Sequence, residues 1–265
     1  MTLPANLWLV GCGNMGGAML SRWIAAGVDP ASVTVIDPGA PFVPDGVRVL
    51  AAVPNEPAPQ VLVLAVKPQL LDAVAPSLAD VKPGLVLSIL AGVEEAALAT
   101  RLNASAIVRA MPNLPVAIGQ GVTALHGATT DRDARDLAEA LAAPLGRVEW
   151  IDDEALFDAV TALSGCGPGF VFRFIETLAN AGAALGLPAD QALRLAQATV
   201  AGSSAMAAGS SETPGTLADR VASPGGSTRE GLNMLDADGA LAKLMEATLK
   251  ASFDRNRAMA AAARG

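Results

Sequence analysis

The 265-residue sequence has no tyrosine, a single histidine and two cysteines, and only 3% of it is aromatic. Basic residues are also few, 18 against 26 acidic ones, for a net charge of −8. Nucleic-acid binding draws on a basic surface and stacking aromatics, so that class is excluded. Cys12 and Cys166 each stand between two glycines, which makes no disulfide framework and fits a reducing cytoplasm. One histidine and no C-x-x-C pair leave no metal site. No basic stretch precedes the first apolar run, so no secretory leader is expected. Apolar runs such as Val61–Val66 and Leu85–Leu90 are far too short to span a bilayer. The expectation is a soluble, cytoplasmic protein with no metal, no membrane and no nucleic-acid partner.

What the chain does contain is apolar material, 52% of it, and glycine set to a pattern. Leu7–Val10 is an unbroken apolar run of strand length, and Gly11, Gly13 and Gly16 follow at G-x-G-x-x-G spacing. A helix-like run, Ala18–Ala26, stops at Gly27, and a second strand-like run, Val33–Ile36, ends in Asp37. In a dinucleotide site the first glycine permits the tight turn and the second lets a pyrophosphate approach the backbone. The third lets the helix pack close to the sheet. The helix start offers unpaired N–H groups and partial positive charge to phosphates. Asp37 stands where an acid accepts hydrogen bonds from an adenosine ribose. The spacing alone also fits a turn that binds nothing; the strand before it, the helix after it and the downstream acid favour the dinucleotide.

Strand-like and helix-like segments alternate from there. Val47–Leu50, Val61–Val66, Leu85–Leu90, Ala106–Ala110, Gly121–Leu125 and Val148–Ile151 read as strands, and Leu70–Leu78, Val93–Leu102 and Asp131–Ala143 as helices. Several strands are apolar on both faces, which points to a parallel sheet covered on both sides. This is an α/β, Rossmann-type doubly wound domain over residues 1–152. Ligands in such sheets sit at the carboxyl ends of the strands. The loops there are Gly11–Gly16, Asp37–Pro38, Lys67–Gln69, Ala91–Gly92 and Met111–Asn113. Lys67 is either a solvated charge or a group facing the ligand. His126, between an edge-like strand and Gly127, reads as structural.

From Asp153 the strand signal stops, and an all-α half follows over residues 153–265. Glu154–Leu163, Phe170–Leu185, a segment from Pro188 to Ala208, and Ala240 to Ala262 are its longer helices, with shorter ones opening at Thr213 and Arg229. Several are apolar nearly all round, the mark of a buried helix. A half this small cannot hide so much apolar surface alone, so a homodimer through the helical domain is expected, with burial against the sheet domain alone as the alternative. Ser223–Thr228, S-P-G-G-S-T before a helix, forms a nest of backbone N–H groups suited to a small carboxylate.

Taken together, G-C-G-N-M-G from Gly11, A-V-K-P from Ala65, R-A-M-P-N from Arg109, L-S-G-C-G-P from Leu163, V-A-S-P-G-G-S-T from Val221 and G-L-N-M-L-D from Gly231 resemble the pyrroline-5-carboxylate reductase family. The resemblance covers nearly the whole chain, and the V-A-S-P-G-G-S-T piece is its most specific part. It implies reduction of 1-pyrroline-5-carboxylate to L-proline by hydride transfer from NADPH or NADH, the last step of proline biosynthesis. Cofactor binding is implied for Gly11, Gly13, Asn14, Met15, Gly16, Asp37, Asn55, Ala65, Val66, Lys67, Pro68, Pro112 and Asn113. Substrate binding is implied for Val221, Ser223, Gly225, Gly226, Ser227 and Thr228, with the Thr228 hydroxyl on the ring nitrogen as the catalytic group. An intertwined homodimer is implied, in some members assembled further into decamers. A protonated cyclic imine is already electrophilic, so such a site needs positioning rather than histidine, cysteine or paired carboxylates.

Two departures stand out. Many members end the second strand with a polar or basic loop for the 2′-phosphate of NADPH. Here Asp37 would repel that phosphate and bind a bare ribose, so NADH should be well used, although family usage leans to NADPH. The usual S-G-S-G-P-A has become S-G-C-G-P-G, with Cys166 as a packing substitution. The competing readings are a hydroxyacid or imine dehydrogenase of the same plan and a nucleotide sensor without turnover. The first lacks its second-domain lysine, since Lys243 is the first lysine of the helical half. The intact S-P-G-G-S-T loop argues against the second.

Overall fold

The computed structural model describes residues 4–264. Strands β1 (Leu7–Val10), β2 (Val33–Ile36), β3 (Arg48–Leu50), β4 (Val61–Leu64), β5 (Leu85–Ser88), β6 (Ala106–Pro112), β7 (Gly121–His126) and β8 (Gly146–Trp150) form one sheet in the order β3-β2-β1-β4-β5-β6-β7-β8. Helices α1 (Asn14–Ala25), α2 (Leu71–Val74), α3 (Glu95–Ala99) and α4 (Arg132–Ala142) connect strands. Helices α5 (Phe157–Val160), α6 (Gly167–Ala184), α7 (Ala189–Gly209), α8 (Pro214–Val221), α9 (Ser227–Asp236) and α10 (Ala240–Arg264) follow. The order and direction of the first six strands are those of a Rossmann-type sheet.

Alternation of side chains sends each central strand into two cores. Leu7, Leu9, Val61, Val63, Leu85 and Leu87 pack with Met19, Leu20 and Trp23 of α1 and Leu141 of α4. Trp8, Val10, Leu62, Leu64 and Val86 pack on the other face with Leu71, Leu78 and Leu98. Trp23 Nε1 donates to the Leu141 carbonyl at 2.7 Å, tying α1 to α4.

Several details differ from the sequence pattern. The helix expected over Val93–Leu102 keeps α geometry only at α3, and that over Glu154–Leu163 breaks into a 3₁₀ turn, α5 and a π turn. The expected helix over Leu70–Leu78 keeps α geometry only at α2; Pro76 lacks the N–H that would continue it, and Ala75–Leu78 tightens into a 3₁₀ turn. β7 runs antiparallel to β6. Residues 113–120 hold only the short turn Leu114–Ile118, too little chain for a parallel crossover. β8 then returns parallel to β7 through α4 and covers it, so the strand carrying His126 is internal and not at an edge.

Tertiary contacts divide the chain into two compact units. One takes the chain up to Cys166 and again from Ser252 onward; the other is Gly167–Ala251. The sequence pattern puts the boundary after Asp152; in the structure the following residues are fastened to the sheet. Glu154 Oε1 accepts from Arg109 Nη1 and from the Glu95 N–H, each at 2.7 Å. The Arg109 guanidinium lies 4.4 Å over the buried Phe157 ring. These groups edge a cavity of about 230 Å³ that also touches Gly92, Asp158 and Ala260.

In the second unit, α6 packs along α7 over small residues, with Ala179, Ala192 and Ala196 buried. Phe172, Phe174, Leu195, Met206 and Leu244 are each more than half exposed. Within one chain, then, the apolar helices are not covered. The stretch Glu154–Ala184 is also long and apolar enough, by length and composition alone, to cross a bilayer; it carries Arg173 paired with Glu176 at 2.6 Å.

Replacing Glu154 with Ala strands a buried guanidinium and should lower stability in urea unfolding by about 1–3 kcal/mol. The double variant R109L/E154L should recover most of that loss, because an apolar pair removes the uncompensated charge.

Candidate active site

The carboxyl ends of β1, β2 and β4 converge on Gly11. Its N–H donates to the Ile36 carbonyl at 2.9 Å, and the Ala65 N–H donates to the Val10 carbonyl at 2.8 Å. Gly11 has φ +87°, and a Cβ there would lie 2.8 Å from the Ala65 carbonyl oxygen, so no other residue fits. A Cβ on Gly16 would lie 2.7 Å from the Gly11 oxygen; the first turn of α1 therefore rests directly on the loop. Gly13 is different. It is exposed, and a Cβ there would meet nothing within 4 Å. It caps α1 with no side-chain bond, and no acid stands in the first turn. The result is a helix start with open backbone N–H groups and clear space before them, which fits a phosphate. Asn14 is exposed and Met15 half-buried in that turn.

Asp37 closes the neighbouring side. Its N–H donates to the Leu50 carbonyl at 2.9 Å. Oδ2 accepts from the Cys12 N–H and Oδ1 from the Gly39 N–H, both at 2.8 Å. The carboxylate is thus fixed beside the glycine loop, with lone pairs to spare. Burial, and secondly the charge of Asp37, push the Cys12 thiol above its ordinary pKa, which keeps it protonated and unreactive.

Ala65 and Val66 are half-buried where the chain leaves β4, and Lys67 is exposed in extended backbone capping the turn Pro68–Leu70. Asn55 is exposed in the loop between β3 and β4. Pro112 ends β6. Asn113 is buried, and its amide faces protein: Oδ1 accepts from the Val122 N–H at 2.8 Å and Nδ2 donates to the Ser164 carbonyl at 2.9 Å. Its sequence position gives no sign of this inward bonding; only the partners reveal it. His126 is buried, with Nδ1 2.7 Å from the Ile151 carbonyl, so Nδ1 carries the proton and the ring ties β7 to the chain after β8.

The second group lies wholly in the other unit. Val221 ends α8, and Ser223 to Gly226 turn through a Gly226 N–H to Ser223 carbonyl bond of 2.9 Å, with Gly225 at φ +70°. α9 opens at Ser227 with no side-chain cap. Ser223, Ser227 and Thr228 are exposed. Arg229 braces the loop from behind, donating to Asp219 at 2.7 Å and to the Ala222 carbonyl at 3.4 Å. Free N–H groups and hydroxyls so arranged suit a small anion with a hydrogen-bonding ring.

The glycines should separate by variant. G13A should leave stability within about 0.5 kcal/mol of the parent and weaken cofactor binding in a fluorescence titration. G11A and G16A should each lose about 1–3 kcal/mol in denaturant unfolding, since backbone must move.

Residues 154–259 match the family model described as pyrroline-5-carboxylate reductase dimerisation. Residues 6–92 match that described as NADP oxidoreductase, coenzyme F420-dependent. A pyrroline-5-carboxylate reductase of Pisum sativum is 38% identical over 93% of this chain and 93% of its own. The solved structure of a pyrroline-5-carboxylate reductase from Coxiella burnetii superposes with a TM-score of 0.84 at 31% identity, covering 96% of this chain and 98% of that one. The Plasmodium falciparum pyrroline carboxylate reductase, solved with NADP bound, gives 0.81 at 26% identity, with coverage of 97% and 98%. A relative 38% identical over 93% of this chain, with the family's dimerisation model matching residues 154–259, shows that the chain belongs to the pyrroline-5-carboxylate reductase family.

Proposed function

We propose that this chain reduces 1-pyrroline-5-carboxylate to L-proline with a nicotinamide cofactor, the closing step of proline biosynthesis, in the cytoplasm. The observation that carries the reading is the Ser223–Thr228 loop: open N–H groups and three exposed hydroxyls with no histidine, cysteine or carboxylate pair among them. That is what a carboxylated cyclic imine needs, and little else.

Gly11, Gly13, Asn14, Met15 and Gly16 would hold the pyrophosphate, and Asp37 and Asn55 the adenosine ribose. Ala65, Val66, Lys67, Pro68 and Pro112 would border the remainder of the cofactor, with Asn113 beside them. The cofactor, when bound, supplies the hydride. The chain's own part is to bind and orient. Backbone N–H groups from Ser223 to Ser227 take the substrate carboxylate, with Val221 supplying apolar contact. The Thr228 hydroxyl holds the ring nitrogen and acts at most as a weak acid. Asp37 places negative charge where the 2′-phosphate of NADPH would lie, so NADH is well used alongside NADPH.

The exposed apolar faces of the helical half are read as the dimer surface. Their area, the paired charges within α6 and the small residues that permit close approach favour a second copy over a bilayer. Further assembly into decamers is a separate matter for solution measurement.

Oxidation of NADH and NADPH is followed with 1-pyrroline-5-carboxylate as substrate. Turnover with a good NADH rate is expected, and T228A should lower kcat/KM about tenfold or more. D37S should shift the cofactor ratio towards NADPH by about ten- to a hundredfold, the worth of charge-assisted hydrogen bonds. A strong NADPH preference in the parent would mean that Asp37 does not meet the ribose. No turnover despite cofactor binding would move the reading to a sensor. Light scattering should show a dimer or a multiple of it, and F172E/F174E should dissociate it.

A further inference from the structure

Asn113 has every polar atom engaged, and the partners explain why. In the antiparallel β6–β7 ladder Pro112 faces Thr123 in a non-hydrogen-bonded pair, so its missing N–H costs the ladder nothing, and the next bonded pair is Asn113 with Val122. Asn113 resumes the pairing: its N–H donates to the Val122 carbonyl at 3.1 Å, and its Oδ1 stands in for a main-chain acceptor of the Val122 N–H. Its own carbonyl is taken by the Val116 N–H at 3.1 Å, opening the short turn to β7.

The remaining group, Nδ2, reaches the Ser164 carbonyl. Ser164 lies in the wide π turn Thr161–Gly165, marked by the Cys166 N–H to Thr161 carbonyl bond of 2.9 Å. In α geometry a carbonyl is met by the N–H four residues on; for Ser164 that residue is Pro168, which has none. One side chain thus makes two replacements: Oδ1 serves Val122 in place of the Asn113 carbonyl, which Val116 has taken, and Nδ2 serves Ser164 in place of the N–H that Pro168 lacks. The turn it holds is the last of the first unit before Gly167 begins α6. Single π turns of this sort recur at functional sites.

We infer that Asn113 is a positioning residue for the reduction, not a cofactor contact through its amide: it locks the exit turn Thr161–Gly165 to the carboxyl end of β6. The inference rests on the reductase reading. On that reading, the β6 end borders the cofactor and the chain beyond the exit turn carries the substrate loop.

The test compares the parent, N113D and N113D/P168A as full-length protein. Turnover by the parent is read first; its absence overturns the reductase reading and the positioning role with it, while hydrogen exchange still reports on the anchor. N113D keeps the acceptor for Val122 and loses the donor to Ser164. Amides of residues 161–166 should then exchange about five- to a hundredfold faster, the equivalent of one buried hydrogen bond, while those of β7 stay as in the parent. The kcat should fall about tenfold or more, with the cofactor dissociation constant, measured by fluorescence, within about threefold of the parent. Pro168→Ala returns an N–H four residues after Ser164, so the double variant should regain both protection and kcat, including where N113D alone folds poorly. Unchanged exchange at 161–166, or a cofactor affinity that falls as far as kcat/KM does, overturns the inference. A double variant no better than N113D overturns it as well.

Discussion

Backbone packed against backbone at Gly11 is the contact on which the first unit turns. The left-handed residue after β1 touches the Ala65 carbonyl region and, through Gly16, carries the first turn of α1. Any Cβ in this contact would push β4 or the helix away. Because none is there, β2, β1 and β4 end together, and the start of α1 opens on the same edge as Asp37 and Lys67. The proposed cofactor region is a by-product of that packing: Gly11 and Gly16 are spent on closeness, and of the three only Gly13 is left facing open space.

Both proposed anion sites are built from main chain. A protein of net charge −8 offers no attractive long-range field to a dinucleotide or a carboxylate. Two helix starts without side-chain caps, Asn14 and Ser227, give local N–H groups instead. Such donors are fixed before the ligand arrives and need no titration. That suits a reaction whose electrophile is already charged and whose hydride comes from the cofactor. Cys12, in the middle of the glycine loop, is held as a neutral thiol by burial and by Asp37, so it adds no competing chemistry.

Around these sites, side chains complete main-chain bonding that the backbone leaves open. The Asn113 side chain meets the Val122 N–H and the Ser164 carbonyl, and Glu154 takes both a guanidinium and a main-chain N–H. These bonds fasten residues 153–166 to the sheet and move the contact boundary past the point where strand pattern gives way to helix. In the helical unit, by contrast, apolar side chains far outnumber what two packed helices can cover, and the surplus is what a second copy would bury.

Much of this was written in the sequence. Glycine spacing, apolar runs on both faces and the acid after β2 determined the parallel Rossmann half, since each follows from local sterics and the two-residue repeat of a strand. The S-P-G-G-S-T nest and the all-round apolar helices were equally legible. Tertiary structure alone decided the direction of β7, where chain length between Pro112 and Gly121 left no room for a crossover. It also decided that α2 shrinks around Pro76, that His126 is internal, and that the Asn113 amide turns inward to Ser164. Those outcomes depend on which donors are missing after distant segments meet, and a missing N–H shows its partner only once the chain has folded.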